Sequence, residues 1–126
     1  MPMMQERRAA LGAMETGIRR VAVIGAGTMG SGIAAQFANA GIPVDLLDIK
    51  DSKGGAGPAE AGIARQLKSG GFMTASASAL VRPGTIENDL ERVGEVDWIV
   101  EAIIENLEIK RDLYKRLDGL RKPGSI

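Results

Sequence analysis

Residues 25–30, Gly-Ala-Gly-Thr-Met-Gly, have the glycine spacing of a loop that binds a pyrophosphate, and we call them the glycine loop. Gly25 permits the tight turn out of a strand, Gly27 has no Cβ to obstruct a phosphate, and Gly30 lets the next helix pack closely. The first N–H groups of that helix lack partners within the helix and carry partial positive charge, so they attract phosphate oxygens. The predicted cofactor-binding residues are Gly25, Ala26, Gly27, Thr28, Met29 and Gly30.

One acid, Asp48, stands where a dinucleotide site needs a partner for the sugar. It follows the glycine loop at close to the spacing of about 20 residues that is typical of such sites. A carboxylate there accepts hydrogen bonds from the adenosine ribose and repels a 2′-phosphate, which favours NAD over NADP. Lys50 follows shortly afterwards and would soften this preference. FAD remains an alternative, because flavoproteins use the same fingerprint with an acid at this place.

The composition excludes several kinds of catalytic site. The sequence has no His and no Cys, so it contains no His-based triad, no thiolate metal site and no disulfide. Glu101 and Glu105 do not form a helical pair, because the first lies within a predicted strand and the second just past it. We therefore predict no catalytic residue and no metal site in these 126 residues.

Length and charge indicate a single globular domain. Lys and Arg total 16, Asp and Glu also total 16, and this zero balance argues against a nucleic-acid-binding protein. No apolar run approaches the roughly 20 residues of a membrane span. Residues 1–18 are predicted to be a flexible leader on a cytoplasmic protein, and residues 19–126 a dinucleotide-binding domain.

A strand–helix–strand unit is needed to position the glycine loop and Asp48. The short β-branched run at 19–25 predicts a buried strand, the apolar stripe after residue 30 predicts a helix ending at Gly41, and 44–48 predicts a second strand. Because such crossovers are right-handed in about 98% of cases, the two strands should be parallel neighbours. The fold class predicted is α/β, a Rossmann-type doubly wound parallel sheet.

The rest of the chain predicts further elements of the same sheet. In order, they are a helix at 59–68, a short helix at 76–81, a strand at 84–88, a strand at 98–102 and a helix at 106–117. A turn at 122–124 precedes what looks like the start of another strand. We therefore expect the domain to be incomplete at its C-terminal end.

Two segments resemble the NAD-binding domain of 3-hydroxyacyl-CoA dehydrogenases. Residues 21–34, VAVIGAGTMGSGIA, resemble its first strand and glycine loop, and 97–110, DWIVEAIIENLEIK, resemble the family signature E-A-(V/I)-x-E-N-x-x-x-K. A third match, RKPGSI at 121–126, runs in relatives into a Ser-Ser-Asn-Thr-Ser segment. The resemblance covers 19–126, with a poor match over 52–87.

The resemblance implies an enzyme of fatty acid β-oxidation that oxidises (S)-3-hydroxyacyl-CoA to 3-oxoacyl-CoA and passes hydride to NAD. It implies that the glycine loop cradles the pyrophosphate, that Asp48 holds the ribose, and that Glu105 and Lys110 contact NAD near its nicotinamide half. The family's catalytic Ser, His with its partner Glu, and Asn all come later than the matched segments. The fragment alone is therefore expected to be inactive.

Substrate and partners follow from the same resemblance. The full-length protein is expected to take an acyl-CoA thioester, and to form a homodimer through a C-terminal helical domain or to be fused to an enoyl-CoA hydratase module. Relatives place CoA-contacting residues on the helix that carries Arg65 and Lys68, but this stretch matches them poorly, and a solvated basic helix face is the favoured explanation of both residues.

Two other functions stay open at this point. A non-catalytic, NAD-responsive binding module would need only the glycine loop and Asp48. A β-hydroxyacid dehydrogenase of the hydroxyisobutyrate type shares the G-x-G-x-M-G pattern, but it lacks the E-A-I-x-E-N-x-x-x-K block.

Overall fold

A four-stranded parallel sheet organises the part of the chain that the computed structural model describes, residues 18–50, 52–53, 55–103 and 107–123. The strand order is β3-β2-β1-β4, and each neighbouring pair is parallel. The predicted pairing of the first two strands is thus confirmed. The strands are β1 (Val21–Ile24), β2 (Val44–Asp48), β3 (Val81–Thr85) and β4 (Trp98–Glu101).

Helices cover both faces of the sheet, because alternate strand residues point to opposite sides. The helices are α1 (Thr28–Asn39), α2 (Gly57–Ser69), α3 (Ile86–Asp89) and α4 (Leu107–Leu120), with 3₁₀ turns at Ala75–Leu80 and Leu90–Glu95. Val21 and Val23 pack with α1 residues in one cluster, whereas Ala22 and Ile24 pack with Leu113 of α4 in the other. The doubly wound α/β class is confirmed.

The predicted third strand was placed wrongly. The structure has it at Val81–Thr85, with Pro83 inside it, whereas residues 84–88 were expected. Proline lacks the N–H that a central strand must donate, but β3 pairs only with β2 in the described sheet and therefore tolerates it.

Two threonines explain where the short helices begin. Thr85 Oγ1 accepts a hydrogen bond from Asn88 N at 3.0 Å and caps α3, so Ile86 begins a helix instead of extending a strand. Thr74 Oγ1 likewise accepts from Ala77 N at 3.2 Å, and the helix predicted at 76–81 is the 3₁₀ turn Ala75–Leu80. In both cases the sequence has a threonine three residues before the residue whose N–H donates to it.

Asp97, which directly precedes β4, links that strand to the residues just before β1. Its Oδ2 accepts hydrogen bonds from Arg19 N at 2.8 Å and Arg20 N at 3.3 Å, and its Oδ1 pairs with Lys122 Nζ. The hydrogen bond from Lys122, followed by those from the backbone, lowers the pKa of Asp97 below its ordinary value. Of the predicted leader, only Ile18 is among the described residues, and its side chain is buried in the core.

Asp45 is a fully buried acid in the middle of β2. Its Oδ2 lies 3.0 Å from Arg20 Nε, and its Oδ1 lies 2.6 Å from Arg82 Nε and 3.6 Å from Arg92 Nη1. The hydrogen bond from Arg82 to Asp45 raises the pKa of that arginine. These arginines come from three different parts of the chain, just before β1, in β3 and in the 3₁₀ turn Leu90–Glu95, so Asp45 joins them to the sheet.

Among the described residues, no helix is both long and apolar enough to cross a membrane.

Candidate functional site

The strand order creates a crevice at the C-terminal ends of β1 and β4. From β1 the chain crosses to β2 on one side, and from β3 it crosses back to β4 on the other side of β1. Ligands of open α/β sheets bind at such a reversal, outside the carboxyl ends of the strands. The glycine loop follows β1 directly and therefore lies at this point.

Two glycines of the loop are required by the packing of the chain itself. Gly25 has a φ of +109°, and a Cβ there would meet the carbonyl carbon of Ala102 at 2.9 Å. A Cβ on Gly30 would lie 1.8 Å from the carbonyl oxygen of Gly25. These contacts match the roles predicted for the two positions, a tight turn and a close approach of helix to strand.

Gly27 is different, because no contact or backbone angle in the described structure requires a glycine there. Its φ is −65°, and apart from its two chain neighbours no described residue has an atom within 4 Å of the position that a Cβ would take. The open space is therefore available to a ligand, and a side chain would fill it. The N–H groups of Gly27, Thr28 and Met29 have no acceptor among the described residues. This combination fits a pyrophosphate.

Asp48 is brought directly to the glycine loop. Its half-buried carboxylate accepts a hydrogen bond from Ala26 N at 2.7 Å through Oδ2, and from Ile49 N at 2.6 Å through Oδ1. A carboxylate has about four acceptor sites, so lone pairs remain for ribose hydroxyls. The same side chain can thus hold the loop and bind the sugar.

Glu105 lies outside the described residues, whereas Lys110 has a partner that the sequence did not predict. Lys110 Nζ lies 3.8 Å from Glu101 Oε2, at the end of β4. Glu101 Oε1 also accepts from Ile103 N at 2.7 Å, and Tyr114 Oη donates to Oε2 at 3.3 Å. The negative charge of Glu101 raises the pKa of Tyr114. The sequence feature that could have indicated these contacts is Glu101 itself, an acid at the end of an apolar strand.

A shallow pocket of about 150 Å³ lies beside this group, between β4 and α4. Ile99 and Leu117 form part of its apolar wall, and Asp118 and Arg121 lie at its polar side. Ile99 packs against the buried cluster on the α4 face, so the pocket does not coincide with the open space at Gly27.

Helix α2 also contacts the glycine loop, which the sequence did not reveal. Arg65 Nη1 donates to the carbonyl oxygen of Ala26 at 3.2 Å, and Gln66 Nε2 donates to Ser31 Oγ at 3.0 Å. Ser31 Oγ donates in turn to the carbonyl oxygen of Gly27 at 2.8 Å. No local pattern announces these contacts, since the partners are 39 and 35 residues apart.

Comparisons with known proteins agree with this geometry. Residues 20–126 match the family described as "3-hydroxyacyl-CoA dehydrogenase, NAD binding domain". The chain is 46% identical over 113 residues to a "probable 3-hydroxyacyl-CoA dehydrogenase" of Deinococcus radiodurans, covering 86% of this chain and 33% of that protein. It is 33% identical over 114 residues to the "fatty acid oxidation complex subunit alpha" of a Psychrobacter species, covering 86% of this chain and 15% of that protein.

A solved structure shares the fold. The crystal structure of (S)-3-hydroxybutyryl-CoA dehydrogenase from Ralstonia eutropha superposes with a TM-score of 0.63 at 30% identity, covering 86% of this chain and 39% of that one. The chain thus spans about a third of the Deinococcus protein. It belongs to the family of NAD-binding domains of 3-hydroxyacyl-CoA dehydrogenases, whose cofactor is NAD.

Proposed function

We propose that this chain is the NAD-binding part of an enzyme that oxidises (S)-3-hydroxyacyl-CoA to 3-oxoacyl-CoA in fatty acid β-oxidation. The observation that carries the proposal is the open space at Gly27, next to three N–H groups without an acceptor among the described residues and to a carboxylate, Asp48, that is hydrogen-bonded to the same loop. The names of the relatives support the substrate class.

Each group of cofactor-binding residues contacts a different part of NAD. The glycine loop holds the pyrophosphate, and Asp48 accepts hydrogen bonds from the adenosine ribose. Glu105 and Lys110 contact the nicotinamide half. The 3.8 Å separation of Lys110 from Glu101 leaves its ammonium able to donate to a ribose hydroxyl. Bound NAD supplies the hydride acceptor.

The reaction also needs a base to take the hydroxyl proton as hydride leaves. The chain contains no His, and Asp48 is engaged with the loop on the adenosine side of the crevice. We propose that the base and most of the acyl-CoA surface belong to a further part of the enzyme. The relative named as a fatty acid oxidation complex subunit supports a fusion to an enoyl-CoA hydratase module; a homodimer is the other arrangement. We place the protein in the cytoplasm.

The 126-residue chain should bind NAD and yet form no NADH from any 3-hydroxyacyl-CoA, because it holds the acceptor without the base. Calorimetry measures the binding, and absorbance at the NADH band measures the reaction. A longer protein that continues into the region found in the relatives should form NADH. Activity of the 126 residues alone would contradict this division of labour, and a stable, NAD-binding but inactive longer protein would contradict the proposed reaction.

NAD should bind more tightly than NADP, because Asp48 would face a 2′-phosphate of like charge. A charge pair at about 4 Å is worth roughly 1 to 4 kcal/mol, depending on screening. Asp48→Asn should shrink the preference, since the amide oxygen keeps the hydrogen bond from Ala26 N, the NH₂ group gives up the exposed one from Ile49 N, and the charge is lost. Paired calorimetric titrations with both cofactors measure this. Glu60→Gln, at an exposed acid of α2, is the control and should keep the wild-type preference; equal affinities in the wild type would reject the role of Asp48.

A further inference from the structure

Helix α2 approaches the glycine loop more closely than ordinary helix packing requires. A Cβ on Gly62 would lie 2.8 Å from the carbonyl oxygen of Ala26 and 3.2 Å from the Cβ of Ser31. A larger residue at Gly62 would push the helix off the loop. This close approach brings the two polar side chains that follow, Arg65 and Gln66, within reach of the loop.

Arg65 holds the first of two consecutive carbonyls. Side chains of a helix point back toward its N-terminus, so the exposed Arg65 reaches up to Ala26 O, at 3.2 Å. Among the described residues, Arg65 has no carboxylate within ion-pair distance. Within the described structure, the guanidinium of Arg65 therefore has the carbonyl oxygen of Ala26 as its hydrogen-bond partner.

Gln66 holds the second carbonyl through a relay. It is nearly buried, as is Ser31, and the two share a 3.0 Å hydrogen bond at the contact between α1 and α2. Ser31 Oγ donates to Gly27 O at 2.8 Å, and the same carbonyl oxygen also accepts the first backbone hydrogen bond of α1, from Ser31 N at 2.9 Å. Buried polar side chains are nearly always hydrogen-bonded, and this relay adds a link from Gly27 to α2 beside the backbone bond that ties Gly27 O to α1.

These contacts determine where the loop's N–H groups point. In a trans peptide the C=O and N–H groups point in opposite directions, and the described chain has no cis bond. Ala26 O is held by Arg65 of α2, and Gly27 O by Ser31, whose side chain is bound in turn by Gln66 of α2. The N–H groups of Gly27 and Thr28 therefore point away from these contacts. A hydrogen bond to each carbonyl also polarises its peptide and makes the N–H a better donor.

We propose that Arg65 and Gln66 are positioning residues, which hold the glycine loop in the conformation that binds the pyrophosphate of NAD. Neither needs to touch the cofactor. The inference rests on the proposed NAD site, and it assigns α2 a role in cofactor binding through the loop.

The test compares NAD binding by calorimetry in the wild-type chain, Arg65→Gln, Arg65→Lys and the control Lys68→Gln. Arg65→Gln should weaken binding about tenfold, the effect of one charge-assisted hydrogen bond at the low end of its range. Arg65→Lys should restore most of the affinity, because lysine keeps a donor. Lys68→Gln removes the same charge from an exposed position one turn along and should change nothing. The Tm should be equal in all four chains, since both side chains are exposed.

A second measurement separates the role of α2 from the cofactor assignment. The ¹⁵N–¹H resonances of Gly27 and Thr28 in the NAD-free chain should shift or broaden in Arg65→Gln and stay unchanged in Lys68→Gln. Unchanged resonances, or wild-type affinity in Arg65→Gln, would overturn the inference. Equal losses in Arg65→Gln and Lys68→Gln would also overturn it, because they would show a general effect of charge.

Coenzyme A provides the last comparison. If Arg65→Gln weakened coenzyme A binding and left NAD binding unchanged, Arg65 would belong to the substrate side and the inference would fail. If the wild-type chain bound no NAD while the resonances still changed, the proposed function would fail and the coupling of α2 to the loop would stand.

Discussion

Gly27→Val is expected to abolish NAD binding and to leave the chain folded. In the part of the chain that the structure describes, a Cβ at Gly27 meets nothing within 4 Å beyond its chain neighbours, and the φ of −65° with extended ψ is open to any L residue. The valine therefore fits the chain but fills the space beside the loop that the pyrophosphate needs. We expect at least about a 100-fold loss of affinity, which corresponds to about 2.8 kcal/mol.

Calorimetry with NAD and the far-UV circular dichroism of the same samples test this expectation together. Gly119→Val is a matched control, because Gly119 also has nothing within 4 Å of its Cβ position but lies on α4. The control should bind NAD as the wild type does. Normal NAD binding by Gly27→Val would show that the loop is not the phosphate site, and loss of the native spectrum would show that the fold itself needs this glycine.

The core of the site was predictable because its signals are local. The buried β-branched run of β1, the glycine loop and Asp48 lie within one strand–helix–strand unit, and each has its own stereochemical requirement. The third strand was predicted at the wrong residues because its local signals conflict. At 83–85 a proline, a glycine and a threonine each signal something different, and only pairing with β2 decides between them.

Contacts made at a distance could not be predicted. Arg65 is 39 residues from Ala26, and a basic residue on a helix is ordinarily solvated, so the sequence offers no sign that it binds a carbonyl. Asp45 is similar, because its arginine partners come from before β1, from β3 and from the 3₁₀ turn Leu90–Glu95. What the sequence does show is an acid inside an apolar strand, which implies a partner without naming it.

Asp45→Asn is expected to lower the free energy of unfolding by about 3 kcal/mol, the lower end of the range for breaking a buried ion pair. Both carboxylate oxygens accept from arginines, Arg82 on Oδ1 and Arg20 on Oδ2. In asparagine one of these atoms becomes an NH₂ group that faces an N–H donor, so a hydrogen bond is replaced by a repulsion. The lower end applies because the side chains of Arg20 and Arg82 are 30% and 47% exposed and can turn toward water.

Urea unfolding at neutral pH measures the loss, and Asp118→Asn is the matched control. Asp118 is 78% exposed and lies 3.9 Å from Arg121, the residue that follows the end of α4, in a surface pair whose removal should cost about 0.5 kcal/mol or less. Folded Asp45→Asn should still bind NAD, because the loop and Asp48 lie at the C-terminal ends of the strands, whereas Asp45 is the second residue of β2. Equal urea midpoints for the two variants would mean that the arginines around Asp45 do not depend on its charge. A loss of NAD affinity in the folded variant would instead show that Asp45 supports Asp48 along β2.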